Sequence, residues 1–219
     1  MQEGSYIMAV NKHEISTLAE EKNRLDKNWY LLARIFIIFG VIGWFASTAL
    51  LVERIKSLQN PTEKLACDIS PFVSCGDLFG RWQASLLGFP NPILGVAGFI
   101  VPIVVGVGIF AGANFKAWFW RCVVVGLSGA WVFVTWLFSQ SIFNIGVLCP
   151  YCLVVWFATI PMWWTAVTMT AAEGFWGSKV RDFVKSRTIT FLLSTILINY
   201  GVIVLLITLK MGTQIVRSF

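Results

Sequence analysis

Charge is scarce in this chain: Asp, Glu, Lys and Arg make up 13% of its 219 residues, against about 25% in an ordinary soluble domain. There is one histidine, and five cysteines are too few for a secreted scaffold held by a disulfide framework. No stretch alternates apolar and polar residues over the length of a membrane β-strand, which argues against a β-barrel. What is abundant is apolar: 57% hydrophobic residues, with Phe 18 and Trp 11. That excludes intrinsic disorder. A soluble globule of this size would leave too many positions facing water to hide it. The chain reads as an integral membrane protein.

A helical span takes about 20 apolar residues, each rising about 1.5 Å, to cross about 30 Å of hydrocarbon. Five stretches qualify: 29–52, 92–113, 117–138, 147–172 and 189–209. The expected fold is therefore all-α, with five transmembrane helices. The first span reads as retained rather than cleaved, because the polar residues 1–28 precede it and no small-residue cleavage site follows.

Lys and Arg set the orientation. Eleven fall on the side of the N-terminus, including Lys12 to Arg34, Lys116, Arg121 and the run Lys179 to Arg187; six fall on the other side. This predicts a multi-pass protein of the cytoplasmic membrane with its N-terminus inside. The net charge of +6 then reflects topology and attraction to anionic lipid headgroups. Nucleic-acid binding fits poorly, since the basic residues sit at span ends and form no patch with aromatic platforms.

This topology places four cysteines on the outer, oxidising side. Cys67 and Cys75 lie in C-D-I-S-P-F-V-S-C within the long loop 53–91, and Cys149 and Cys152 form C-P-Y-C where the fourth span begins. At a helix start the first thiol sits among unpaired N–H groups whose positive field favours the thiolate. The second lies nearly one turn on, within reach of a bridge, and such pairs exchange disulfides readily. Structural staples are the competing reading. Zinc fits the spacing badly, so no metal is expected.

The order C-D-x6-C, an amphipathic segment ending G-F-P at Pro90, N-P-I-L-G from Asn91, and C-P-Y-C on a later span resembles the vitamin K epoxide reductase family over about residues 29–172. The resemblance implies a four-helix bundle around a quinone (menaquinone or ubiquinone) plus a fifth helix. In bacterial members that helix often leads to a thioredoxin-like domain, which this chain, ending at Phe219, is read as lacking. The implied organisation is a cytoplasmic segment 1–28, a catalytic bundle 29–172 with outer loop 53–91, a cytoplasmic loop 173–188, and the fifth helix with a short outer tail at 189–219.

Roles follow from the resemblance. A secreted DsbA-like thioredoxin-fold thiol protein would exchange with Cys67 of a Cys67–Cys75 disulfide. Cys75 would attack Cys149, and Cys152 would face the quinone. Asp68 would assist the exchange, or simply be an exposed loop carboxylate. Asn91 would donate to a quinone oxygen, although an N-cap before Pro92 also suits it. The segment from Asp77 to Leu87 reads as one amphipathic helix lying as a lid, with Phe79, Trp82, Leu86 and Leu87 toward the quinone entrance. The family's loop Ser or Thr is replaced by Gly80 or Arg81, with Ser85 further on. Its Tyr beyond the C-x-x-C is replaced by Trp156, which can stack on a ring but has no acidic O–H. These departures argue against animal-type epoxide chemistry, leaving vitamin K epoxide or quinone reduction in an internal membrane as the alternative activity and a disulfide-stapled scaffold as the non-enzymatic one.

Other features read as structural. Cys122 is expected to be a buried small hydrophobe, and His13 a solvated surface residue. Residues 12–28 mix charges at helical spacing and suit a membrane surface. Gly108-I-F-A-Gly112 would permit close helix packing, and Pro102 and Pro161 would kink their spans. Asn60-Pro-Thr is no glycosylation site.

Overall fold

The computed structural model describes residues 2–61, 64–70, 72–185 and 187–217, and within 2–26, 185, 211 and 213–217 only the course of the backbone. The expectations for His13 and for the side chains of residues 12–26 therefore lie outside the described residues. Long helices are α1 (Gln2–Gln59), α3 (Pro92–Phe110), α4 (Ala117–Gln140), α5 (Pro150–Ala172) and α7 (Thr188–Arg217). Short ones are α2 (Gly76–Phe79) and α6 (Ser178–Lys185). Five helices are long and apolar enough to cross a membrane, and no strand occurs among the described residues.

Differences from the sequence expectation lie at the element ends. The third span continues through a π-helical turn, Ser141–Ile145, before Gly146 reverses the chain in the left-handed region at φ 76°. The fourth helix starts at Pro150 rather than Val147. Proline fits a first helical position, and Leu148 is drawn instead into a bridge with the outer loop. The expected lid helix is two pieces, α2 and a 3-10 turn Trp82–Ser85, separated at Gly80 and Arg81.

α5 is the central helix, touching α1, α4, α6 and α7, while α3 packs along α1. Most of α5 is buried, including Ala158, Thr159, Ile160 and Met162. The core joins Leu32 and Phe36 of α1, Phe99 of α3, Trp120 of α4 and Ala158 of α5. The tight approach of α1 to α3 does not use Gly108 and Gly112. Gly112 lies beyond the end of α3, and a Cβ there would meet open space. The close contacts are at Gly106, where a Cβ would stand 2.9 Å from the Ala33 carbonyl oxygen, and at Gly95, which faces Ser47.

Pro161 has no N–H, so the Phe157 carbonyl one turn earlier loses its helical donor. The Tyr200 hydroxyl of α7 donates to it at 2.7 Å, and the Phe157 and Tyr200 rings stack with centroids 5.1 Å apart. The fifth helix is thus fastened to the bundle where α5 has a spare acceptor.

Candidate active site

The outer loop is held by two carboxylates. Glu53, buried on the last turns of α1, accepts from the Ala66 N–H at 3.2 Å and pairs with Lys56 at 2.9 Å. Asp68 Oδ1 accepts from the Ser74 hydroxyl at 2.8 Å and from the N–H groups of Cys75 and Gly76 at 2.9 and 3.1 Å. Its Oδ2 takes the Leu65 N–H at 3.4 Å. Burial alone would raise the Asp68 pKa, but these donors outweigh it and hold the carboxyl below its ordinary value. Asp68 is therefore neither a free surface carboxylate nor directed only at Cys67; it knits both halves of the loop.

Cys67 and Cys75 are joined by a disulfide. Beyond Ser70 the chain doubles back, and Val73 makes a parallel bridge to Leu148. The Leu148 N–H donates to the Phe72 carbonyl at 2.9 Å, and the Ser74 N–H donates to the Leu148 carbonyl at 3.1 Å. Those two bonds set loop and helix start in register, since Ser74 and Leu148 each directly precede a cysteine. The result is a contact of 3.4 Å between Cys75 Sγ and Cys149 Sγ.

Cys149 is the N-cap of α5, with extended backbone, and its sulfur accepts from the Cys152 N–H at 3.4 Å. A hydrogen bond from the Cys152 side chain pulls its pKa below the ordinary thiol value. Burial opposes this, the N–H groups of Cys152 and Tyr151 add to it, and the charge of Asp68 works against it. Cys149 and Cys152 are free thiols; Cys149 is buried while Cys152 is exposed to the adjoining cavity. A buried thiol with a lowered pKa touching a disulfide sulfur is an arrangement that exchanges. Cys67 is only 3% exposed, so it lies beneath the surface and not at the outer rim.

A cavity of about 710 Å³ opens beside these thiols, between α3 and α4 and against α1 and α5. That is the size of a small-molecule site. Arg54, Phe79, Cys75, Cys149 and Cys152 line its loop end, and Phe119 and Cys122 its far end. Along the way Gly98, Gly126 and Gly129 face open space. Cys122 is thus exposed to the cavity, not buried in packing as expected. Apolar periodicity places it on a membrane helix but cannot tell a cavity-facing position from a packed one.

Phe79 is buried and lines this cavity, with the Arg54 guanidinium 5.2 Å from its ring centroid. Trp156 lines it too, 3.8 Å from Phe138 between ring centroids. Asn91 also lines it but does not cap α3 with its side chain. Instead its Nδ2 donates to the Gln83 carbonyl at 2.6 Å and its Oδ1 accepts from the Leu86 N–H at 3.3 Å, fastening the lid to α3. Leu86 and Leu87 line the cavity, whereas Trp82 is 65% exposed and Ser85 takes no part in the lining. Of the two residues read at the place of the family's Ser or Thr, Arg81 lines the cavity and Gly80 does not.

Among the described residues, three lining side chains bury a polar atom that no protein group satisfies: Arg54 Nε, Trp156 Nε1 and Gln83 Oε1. Two donors and one acceptor without protein partners, in a mainly apolar cavity, fit a flat ring carrying oxygen atoms, and so fit a quinone. Sequence reasoning missed Arg54 and Gln83. Arg54 follows Ser47 and Leu50 at helical spacing on one face of α1, but in sequence a charge at a span end reads as topology.

No curated protein matches the chain. A family model described as the vitamin K epoxide reductase family matches residues 34–167, more than half the chain, and spans both cysteine pairs, Asn91 and every residue lining the cavity. Quinone-linked oxidoreductases of membranes make up that family, and this multi-pass helical protein, with its thiols at a ring-sized cavity, belongs to it.

Proposed function

We propose that the protein is a thiol:quinone oxidoreductase that makes disulfides in a secreted thioredoxin-fold partner of the DsbA-like kind. The observation that carries this reading is the 3.4 Å contact between Cys75 and Cys149 at the mouth of the cavity. The partner's thiolate attacks Cys67, releasing Cys75 as a thiolate; the partner's second thiol then resolves the mixed disulfide and leaves Cys67 reduced. Cys75 attacks Cys149 of an oxidised Cys149–Cys152 pair, and Cys67 closes back on Cys75. Cys149 and Cys152 are left as the two thiols. Their electron pair and protons leave through Cys152, which faces the cavity, as the Cys149–Cys152 bond re-forms. A bound quinone supplies a two-electron, two-proton acceptor there. Trp156, Phe79 and Asn91 line its ring site, and the open face at Gly98, Gly126 and Gly129 gives room for an isoprenoid tail.

The membrane is the cytoplasmic membrane, with the cysteine end outside and the N-terminus inside, in keeping with the Lys and Arg distribution. Because Cys67 is 3% exposed, the outer loop must open before a partner thiol reaches it.

The test is acid quench and alkylation of the cysteines in membranes, with and without quinone depletion. Thiols at Cys149 and Cys152 that accumulate on depletion, followed by thiols at Cys67 and Cys75, support the relay. Two disulfides that stay closed under both conditions would make the cysteines staples and end this reading.

A further inference from the structure

Arg54 has a charge and a buried donor with no protein partner. Ser47, Leu50 and Arg54 all line the cavity from one face of α1, and Leu50 packs in the cluster that holds Cys75, Phe79 and Cys149. The guanidinium therefore reaches the cavity at its thiol end. Its contact with the Phe79 ring, 5.2 Å from Cζ to the centroid, supplies no oxygen acceptor for its N–H groups. Of the carboxylates at this end, Glu53 is committed to Lys56 and the Ala66 N–H, Asp68 to Ser74, Leu65, Cys75 and Gly76, and Asp77 of α2 makes no ion pair with Arg54. Among the described residues Arg54 has no ion pair, and its Nε is buried and unsatisfied. A desolvated donor without an acceptor is costly, and more so on a charged group.

Resting on the quinone reading above, we infer that Arg54 is a catalytic residue of that site, donating from Nε to one carbonyl oxygen of a 1,4-quinone while Trp156 Nε1 serves the other. Reduction adds two electrons and two protons, and negative charge grows on oxygen before each proton arrives. A fixed cation held on Phe79 interacts more strongly with that charge than with the neutral carbonyl, which is the differential that lowers a barrier. Gln83 Oε1, the buried acceptor, suits the O–H of the reduced ring. The donor pair thus selects ligands with two opposed oxygens over apolar rings of equal size.

The test is equilibrium binding to the full chain in lipid nanodiscs, read by quenching of tryptophan fluorescence. The probes are 2-methyl-3-prenyl-1,4-naphthoquinone and the oxygen-free 2-methyl-3-prenylnaphthalene. Arg54→Gln and Arg54→Met are expected to weaken the quinone by about tenfold or more, the loss of one charge-assisted hydrogen bond, and to leave the naphthalene unchanged. Arg54→Lys should recover part of the loss. Unchanged quinone affinity, or parallel loss of both ligands in both variants, would overturn the assignment, the second by making Arg54 a packing residue. Failure of the unsubstituted protein to bind the quinone at all would instead remove the proposed function itself.

Discussion

The thiol end of the cavity and the rest of it are built by opposite means. At the thiol end, position comes from directed polar contacts: the Asp68 cradle, the Glu53 bond to Ala66, and the paired bonds between Leu148 and the segment 72–74. Away from the thiols it comes from what is missing, as Gly98, Gly126 and Gly129 along the cavity leave space that side chains would fill. Hydrogen bonds are sensitive to fractions of an ångström, which suits sulfur atoms that must meet in line. A glycine-lined groove tolerates displacement, which suits a flexible hydrocarbon. On the proposed function, chemistry and accommodation are thereby separated along one cavity.

The sharpest break of this comparison is at the sulfurs. Cys149→Ala should abolish partner oxidation, by about a thousandfold or more, as expected when a nucleophile is removed. Cys152→Ala should do the same while a Cys75–Cys149 mixed disulfide accumulates, seen by non-reducing electrophoresis and peptide mapping. Activity near that of the unsubstituted protein in either variant would dissociate the thiol end from the chemistry.

Next in size is Asp68→Asn, which keeps an acceptor but removes the charge, and is expected to slow thiol exchange by about tenfold to a hundredfold. The Asp68 pKa is lowered in the folded protein. Its contribution to loop stability is therefore fully present above the ordinary carboxylate pKa and lost as pH falls through the lowered value. Exchange rates, corrected for thiolate fraction, should hold down to the ordinary carboxylate range and fall below it, and Asp68→Asn should erase that acid limb. An unchanged acid limb in the variant would assign it to another group.

Away from the thiols, Gly126→Leu places a side chain where a Cβ meets nothing within 4 Å, so the fold should tolerate it. The KM for a long-tailed quinone should rise by about tenfold, as a few buried methylene contacts are lost. The KM for a tail-less quinone should not change. Equal effects on both would mean that the groove is not a tail site. Smallest is Tyr200→Phe, which removes the donor to the Phe157 carbonyl and should cost about 1 kcal/mol. A slightly lower thermal midpoint with normal kinetics is the expected outcome, because α7 contacts α5 away from the thiols.

Much was legible in the chain. Hydropathy located five spans because a bilayer demands long apolar runs, and it placed C-P-Y-C where the fourth of them begins. Less legible were features that depend on a facing surface. Arg54 looked like a topological charge and Cys122 like packing, since the face a helix presents to a cavity is written in its neighbours. Asn91 was visible as a polar residue before Pro92, but its actual bonds, to Gln83 and Leu86 of the lid, required the lid to fold over it. The lid itself breaks near Gly80, where the apolar spacing alone suggested a continuous helix. Gly108 and Gly112 matched a packing pattern that Gly95 and Gly106 fulfil instead, because only these two meet α1.

By itself, then, the sequence determined a helical membrane protein, its five crossings and the residue types that can exchange disulfides, because composition and local spacing act through water, lipid and neighbouring backbone. Only the tertiary structure decided that Cys75 touches Cys149, that Asp68 ties both halves of the loop, and that Arg54, Gln83 and Trp156 bury unsatisfied polar atoms at one cavity. Those relations join residues far apart in the chain, and they arise when packing of α1, α3, α4 and α5 fixes distances that no local pattern contains.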